Sequence, residues 1–243
     1  MKLHTALTIA GTDPSGGAGI MADLKSFQSR NVYGMAVVTS VVAQNTTGVH
    51  HVEHLSLESI EKQLHDVYSD IAPQAVKTGM IALPEMMDLI YPYVSKPIPY
   101  VMDPVMIATS GDRLVSDEAV DFLNKMARRA RKRNVSLAII SQRFQDFYEK
   151  PEAQAVLTSS DTKLFLAQDK SEIQQLKEVF KLSEGEASFL VTCSKGEGLL
   201  KVGQDTAVIQ ITPTRKEFEF VETNMNKLVA NNQRDDQRNI NKN

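Results

Sequence analysis

The sequence predicts an α/β protein whose first half is built on a parallel sheet. From the N-terminus to about residue 106, short apolar runs alternate with stretches whose apolar residues recur at helical spacing. Alternating strands and helices form βαβ units, whose right-handed crossovers place the carboxyl ends of the strands at one edge of the sheet. Beyond residue 186 the pattern changes to short strands between Gly or Asp turns, which favours a mixed α/β fragment in the second half.

The elements of the first half are predicted in order along the chain. Strand 6–11 is followed by helix 22–30, the buried β-branched strand 35–45 and the amphipathic helix 55–71. A third strand ("AVKTGMI"), a third helix ("PEMMDLIYPYV") and a fourth strand ("IPYVMDPVM") come next. Ligands of such sheets bind at the carboxyl edge, so the loops after Ala10, Ala43, Thr78 and Met102 should line one pocket.

The second half is predicted as strand 135–142, a strand within 159–169 and a helix over 170–180. Three short strands follow, "ASFLVTCS", "EGLLKVG" and "DTAVIQITPT". The Asn-rich residues 224–243 lack the apolar content of a core, and we expect a disordered tail.

Composition separates the two halves and restricts the class of protein. Residues 1–125 have a net charge of −6 and residues 126–243 a net charge of +3. No apolar run approaches the roughly 20 residues of a membrane span, so we expect no membrane partner. The single cysteine, Cys193, excludes an internal disulfide and a Cys-based zinc site, and it fits a cytoplasmic location.

A glycine-rich segment lies between the first strand and the first helix. In "AGTDPSGGAGIMADLKSF" four glycines would let backbone N–H groups approach a ligand beside a helix N-terminus. The segment lacks the Lys-Ser/Thr of a P-loop and the spacing of a dinucleotide fingerprint. By itself it is equally well interpreted as a tight turn.

The first half, from residue 3 to about 115, resembles a known family. "LTIAGTDPSGGAGIMADLKSF", "YGMAVVTSVVAQNTTGV", "VKTGMI", "VMDPVM" and "SGDRL" are similar to the hydroxymethylpyrimidine/phosphomethylpyrimidine kinases of thiamine biosynthesis. These belong to the ribokinase-like superfamily, which also contains pyridoxal kinases. The resemblance implies a ribokinase-like parallel sheet, here truncated, and ATP-dependent phosphorylation of a hydroxymethyl group.

The resemblance also implies the site residues. The pyrimidine would be held by four residues, namely Gly11, Asp23, Gln44 and Met80. Gln44 offers a donor and an acceptor to an aminopyrimidine edge, Asp23 accepts from an amine or hydroxyl, and Met80 forms an apolar wall. Asp103 corresponds to an acid near the nucleotide phosphates, so ATP and Mg²⁺ are the implied cofactors. Gln at position 44 leaves pyridoxine or pyridoxal open as an alternative substrate.

The second half departs from the family's pattern. Phosphoryl transfer needs a cradle for the γ-phosphate and a base for the attacking hydroxyl. The family supplies them from a late Gly-Thr-Gly-Cys/Asp turn and two upstream nucleotide segments, and the sequence contains none of these. The nearest imitation, "SKGEGLL", is interpreted as a hairpin loop. No catalytic residue can be assigned, and we expect impaired catalysis.

Residues from about 127 to 223 resemble the C-terminal part of type IV secretion (conjugative transfer) ATPases. Gln142, which ends "VSLAIISQ", would lie near the nucleotide in that family. We therefore predict a partial kinase domain over 1–120, a transfer-ATPase-like segment over 121–223 and the tail over 224–243, with a junction between Ser110 and Met126. The basic run in "ARRARKR" has no interleaved aromatic residue, so nucleic-acid binding is not expected.

Three hypotheses follow for function. The chain is a hydroxymethylpyrimidine kinase, or an inert fusion that at best binds the pyrimidine, or a remnant of a DNA-transfer motor. We favour the first hypothesis as the family assignment. For catalytic turnover we favour the second, because the base and the anion cradle are missing from the sequence. A half-length sheet exposes a strand edge, and pairing in a homodimer is one way to cover it.

Overall fold

The computed structural model describes residues 3–45, 48–103, 137–140, 144, 148, 160–214 and 217. The chain divides into two compact units. The described part of the first consists of residues 3–45, 48–103, 137–140, 213–214 and 217. That of the second consists of residues 144, 148 and 160–212.

The first unit contains a five-stranded parallel sheet and a separate two-stranded hairpin. The elements of this unit in chain order are β1 (His4–Ala10), α1 (Gly19–Ser29), β2 (Val32–Val38), β3 (Ser40–Asn45), β4 (Gly48–His54), α2 (Leu57–Asp70), β5 (Ala75–Thr78), α3 (Pro84–Val94), β6 (Tyr100–Met102) and β7 (Leu137–Ile139). The order of strands in the sheet is β2-β1-β5-β6-β7, and every pairing is parallel. The predicted α/β class is confirmed.

The core of the first unit lies between the sheet and its helices. Leu7 and Ile9 of β1 are fully buried, as are Ile60 and Leu64 of α2. These α2 residues are four apart and share a helix face, as the predicted amphipathic pattern requires. Helix α2 begins after Ser56, whose side chain accepts a hydrogen bond from the Ser59 N–H group at 3.2 Å.

The predicted strand 35–45 is wrong as a single strand. β2 lies in the parallel sheet and ends at Val38, whereas β3 pairs antiparallel with β4 in a hairpin. The break is at Thr39, whose N–H group donates to the Ala10 carbonyl at 3.0 Å and whose carbonyl accepts from the Leu55 N–H group at 3.0 Å. No turn residue interrupts the β-branched run there, so the sequence gives no sign of the break.

The second unit has a separate antiparallel sheet. β8 (Thr162–Leu166), α4 (Ile173–Phe180), α5 (Glu184–Thr192), β9 (Glu197–Val202) and β10 (Asp205–Gln210) follow in order, and the sheet order is β10-β9-β8. Among the described residues of this unit, seven buried side chains form a hydrophobic cluster: Phe144, Phe165, Leu176, Phe180, Leu182, Leu190 and Leu199. The antiparallel arrangement predicted for "EGLLKVG" and "DTAVIQITPT" is confirmed.

The predicted strand "ASFLVTCS" is wrong, because these residues lie mostly in α5. The helix is started by a capping box. The Ser183 side chain accepts from the Glu186 N–H group at 3.2 Å, and the Glu186 carboxylate accepts from the Ser183 N–H group at 2.7 Å. The Ser-x-x-Glu signature lies just before the apolar run and outweighs its strand-like composition.

β7 follows the predicted domain boundary at residue 120 along the chain but belongs to the sheet of the first unit. It pairs parallel with β6, with Tyr100 opposite Leu137 and Met102 opposite Ile139. The junction at 110–126, Gln142, the basic run and the tail at 224–243 lie outside the described residues. Within the part of the chain that is described, no helix is long and apolar enough to cross a membrane.

Candidate functional site

The carboxyl ends of the central strands are joined by backbone hydrogen bonds into one continuous edge. The Gly79 N–H group donates to the Ile9 carbonyl at 3.0 Å, and the Asp103 N–H group donates to the Thr78 carbonyl at 2.8 Å. On the other side of β1, the Thr12 N–H group donates to the Ser40 carbonyl at 2.9 Å. The loops after β1, β5 and β6 therefore begin at one edge, where ligands of this fold class bind, and the loop after β1 lies beside the β3 hairpin.

The glycine-rich loop turns tightly back onto its own start. Gly19 has a φ of +55°, and a Cβ atom there would lie 2.4 Å from the Gly11 carbonyl oxygen. That same oxygen accepts a hydrogen bond from the Ile20 N–H group at 3.1 Å. Only glycine adopts this conformation without strain and leaves room for the carbonyl.

Asp13 closes this loop from within, and it is a residue that sequence reasoning missed. Its side chain accepts four hydrogen bonds. Oδ1 accepts from the Ser15 N–H group at 2.9 Å and the Ser15 hydroxyl at 2.7 Å; Oδ2 accepts from the N–H groups of Gly17 at 3.0 Å and Ala18 at 2.7 Å. Asp13 is 2% exposed. The loop amides that were expected to face a ligand are thus partly occupied by this carboxylate.

The charge of Asp13 is stabilised by its partners. Burial raises the pKa of the Asp13 carboxyl group, but hydrogen bonds from Ser15, Gln44 and the Ala18 N–H group lower it, and the pKa lies below its ordinary value. Because a folded-state pKa below the unfolded value stabilises the ionised protein, this contribution is present above about pH 4 and is lost as pH falls through the folded-state pKa.

We expect the Asp13→Asn variant to lose about 2 kcal/mol of unfolding free energy at pH 7, since hydrogen bonds to an ionised group contribute roughly 1.5–3 kcal/mol. The difference from the wild type should stay constant between about pH 5 and pH 8 and shrink below about pH 4. Urea unfolding across this pH range measures it. Asp88→Asn, an exposed residue of α3, is the control and should leave stability unchanged at pH 7. A pH-independent difference down to about pH 2 would contradict the role of the Asp13 charge.

Gly11 and Met80 lie against each other at the edge. A Cβ atom on Gly11 would lie 2.8 Å from Met80 Cε and 3.7 Å from Val42 Cγ2. The backbone of Met80 is fixed by a hydrogen bond, because the buried Thr39 hydroxyl donates to its carbonyl at 3.1 Å. The missing side chain at Gly11 therefore lets Met80 pack closely against the backbone, next to Val42.

Gln44 lies on β3 at a β-bulge. The register of the hairpin shifts between Ala43 and Gln44, which pair with His51 and Val49. Bulges commonly re-aim a side chain next to a functional site. The Gln44 side chain lies near Asp13 and helps to lower the pKa of its carboxyl group. Because a carboxylate only accepts, a hydrogen bond between the two would come from the Gln44 amide nitrogen and would leave the carbonyl oxygen as the remaining acceptor of the side chain.

The two acids Asp23 and Asp103 are joined by Lys77, another residue that sequence reasoning missed. Lys77 Nζ lies 2.8 Å from Asp23 Oδ1 and 3.2 Å from Asp103 Oδ2. The Thr8 hydroxyl also donates to Asp23 Oδ2 at 2.6 Å. Asp23 lies on α1 and Asp103 directly follows β6, so Lys77 connects the acid proposed for the pyrimidine with the acid proposed for the nucleotide.

The contacts bring the five predicted site residues together in three groups. Gly11 lies against Met80, Gln44 lies near Asp13, and Asp23 is linked to Asp103 through Lys77. Both missed residues had a signal. The "TDPSG" segment is a typical turn in which an aspartate bonds backbone N–H groups two residues on, and a lysine within a buried strand requires a charged partner.

Comparisons with known proteins show what the first half of the chain is similar to. Residues 13–131 match the family model described as phosphomethylpyrimidine kinase. The hydroxymethylpyrimidine/phosphomethylpyrimidine kinase of Staphylococcus aureus strain Mu50 is 56% identical over 120 residues, which are 49% of this chain and 44% of that protein. The match thus spans less than half the length of this curated relative.

Two solved structures share the fold. A crystal structure of phosphomethylpyrimidine kinase from Clostridium difficile 630 superposes with a TM-score of 0.55 at 30% identity, covering 90% of this chain and 89% of that one. Pyridoxal kinase of Bacillus subtilis, solved as an ADP complex, has a TM-score of 0.53 at 24% identity, covering 91% of this chain and 84% of that one. The predicted ribokinase-like sheet is therefore confirmed. The resemblance of residues 127–223 to transfer ATPases stays a prediction.

Proposed function

Because residues 13–131 belong to the phosphomethylpyrimidine kinase family, we propose that the edge formed by the loops after β1, β5 and β6 binds an aminopyrimidine with a hydroxymethyl group. The family's reaction transfers the γ-phosphoryl group of ATP to that hydroxymethyl oxygen. The observation that carries the proposal is the convergence of predicted site residues at this edge, where Gly11 lies against Met80 and where Lys77 joins Asp23 to Asp103.

The chemistry of the edge suits an aminopyrimidine. If the Gln44 amide nitrogen donates to the nearby Asp13 carboxylate, its carbonyl oxygen is left to accept from an amino N–H group of the ligand. Met80 and Val42 supply an apolar surface for one face of the ring. Asp23 is a partly buried carboxylate held by Thr8 and Lys77, and it would accept from the hydroxymethyl group. A pyridoxine-type ligand has no ring amino group for Gln44, so we propose it as the weaker alternative.

One residue of the edge, Asp103, suits the binding of Mg²⁺ together with ATP. Asp103 is a partly exposed carboxylate at the carboxyl end of a strand, and one such carboxylate is the usual protein contribution to a Mg²⁺ ion that is bound mainly by phosphates and water. ATP supplies the phosphoryl group when bound. Asp103 would hold the metal, and Asp23 would orient the accepting hydroxyl group.

We propose that this chain binds the pyrimidine but catalyses phosphoryl transfer only slowly. The sequence contains neither the family's late glycine turn nor its upstream nucleotide segments, and electrostatic stabilisation of the transferring group is usually the largest part of such catalysis. Losing a single oxyanion donor costs about 10²–10³ in kcat. We therefore expect turnover below about 0.1 s⁻¹, compared with roughly 1–100 s⁻¹ for ordinary kinases.

Calorimetric titration with hydroxymethylpyrimidine, followed by an assay for its phosphate ester in the presence of ATP and Mg²⁺, tests the proposal. We expect saturable binding, slow ester formation and weaker binding of pyridoxine. Turnover at an ordinary kinase rate would contradict the impairment. Failure to bind either vitamin precursor would contradict the proposed ligand and leave a protein-contact role, as in a remnant of a transfer motor, as the better hypothesis.

A further inference from the structure

The side chain of Lys77 occupies a crowded charged position at the same edge. Its ammonium lies 2.8 Å and 3.0 Å from the two carboxylate oxygens of Asp23 and 3.2 Å from Asp103 Oδ2. The three side chains are 18%, 13% and 26% exposed for Lys77, Asp23 and Asp103. Asp103 is thus the longest and most exposed contact of the three.

The Lys77 ammonium lies close to Gly79, which directly follows β5. A Cβ atom on Gly79 would lie 3.7 Å from Lys77 Nζ and 2.9 Å from Ala10 Cβ. Gly79 directly precedes Met80, which faces Gly11. The charge of Lys77 therefore lies just beneath the proposed ligand surface.

Formal charges in this cluster do not cancel. Two carboxylates and one ammonium leave a net charge of −1. A phosphate group at the edge would be repelled by this charge, and the repulsion is stronger in a partly buried site than in bulk water. Without Lys77 the net charge would be −2, and Asp23 would lose the partner that holds both of its oxygens.

We propose that Lys77 is a positioning residue that pairs Asp23 with Asp103 and thereby decides how well the site tolerates a phosphate-bearing ligand relative to a neutral one. This inference rests on the proposed function and adds a determinant of selectivity to it. Lys77 acts through the two carboxylates and through its charge. It takes no proton and forms no bond to the ligand.

The test compares two ligands on the full-length chain. Calorimetry at low ionic strength gives the Kd of hydroxymethylpyrimidine and the Kd of its monophosphate. The ratio of these two Kd values is insensitive to a change that weakens the binding of both ligands equally. For Lys77→Met we expect the ratio to move about tenfold against the phosphate, and about 0.5 M salt should shrink this difference. Lys62→Met, which removes an equal charge from an exposed ion pair with Glu58 on α2, should leave the ratio unchanged.

A second pair of variants distinguishes the effect of the net charge of the cluster from the effect of a damaged fold. Asp103→Asn makes the cluster neutral, and we expect the ratio to move about tenfold in favour of the phosphate. The double variant Lys77→Met/Asp103→Asn has the wild-type net charge and should return close to the wild-type ratio. Asp103→Asn keeps the ion pair between Lys77 and Asp23, so it carries the test even if the variants that lack Lys77 do not fold.

The outcomes distinguish the inference from its premise. An unchanged ratio in Asp103→Asn or in Lys77→Met, in proteins that still bind the neutral pyrimidine, would overturn the role of Lys77 alone. Absence of binding of both ligands to the wild type would overturn the proposed function together with it.

Discussion

Replacing Gly19 with alanine is expected to destabilise the first unit by about 3 kcal/mol or more and to abolish pyrimidine binding. The left-handed conformation alone costs an L-residue roughly 1–2 kcal/mol. In addition, the new Cβ atom would lie 2.4 Å from the Gly11 carbonyl oxygen, which is a backbone atom that cannot rotate away. Moving Gly11 would also break its hydrogen bond from Ile20 and alter the ligand surface. Hydrogen exchange of peptides from residues 3–103, together with calorimetry, measures both effects.

Gly185→Ala is the matched control. Gly185 lies in α5, and no atom is found within 4 Å of the position of its added Cβ. Alanine in a helix is favoured over glycine by about 0.5–1 kcal/mol, so this variant should be neutral or slightly stabilised. If Gly19→Ala behaved like Gly185→Ala, the tight return of the glycine loop onto Gly11 would be wrong.

Replacing Gln44 with leucine is expected to weaken hydroxymethylpyrimidine binding about a hundredfold while leaving the fold intact. Leucine has a similar size but neither the amide donor for Asp13 nor the acceptor for the ligand, and an unpaired buried charge or polar group costs about 1–3 kcal/mol. Gln44→Glu should also bind poorly, because it places a second carboxylate beside the buried Asp13. Calorimetry on the three proteins measures the loss.

Gln74→Leu is the control for the opposite edge of the sheet. Gln74 accepts from the Thr5 N–H group at 3.3 Å and lines a groove of about 460 Å³ at the amino ends of β1 and β5. Its replacement should leave the Kd of the pyrimidine unchanged. Equal losses in Gln44→Leu and Gln74→Leu would mean that binding is not located at the carboxyl edge.

The sequence was most informative where local signals and tertiary packing agree. Helix α3 spans Pro84–Val94, as predicted, because proline is favoured in the first helical turn and the apolar residues follow helical spacing. It was least informative where the backbone changes partners without a turn residue, as at Thr39, and where the capping box at Ser183 overrides a strand-like composition. Such breaks are fixed by hydrogen bonds between distant segments.

The candidate site shows the same division. Gly11, Asp23, Gln44, Met80 and Asp103 came from a family resemblance, and the structure brings them to one edge. Lys77 derives its role from Asp23 and Asp103, which lie far from it along the chain, and a charged residue in a strand does not identify such partners. Asp13 bonds nearby loop residues, so its local turn signal could have been found from the sequence.

The central claim is that the first unit binds an aminopyrimidine at the carboxyl edge of its parallel sheet. Backbone amide chemical shifts of the full-length chain, recorded during titration with hydroxymethylpyrimidine, test it most directly. We predict saturable shifts for Gly11, Gln44 and Gly79, with the signals of β8–β10 unmoved. Shifts confined to the second unit, or none at saturating ligand, would contradict it.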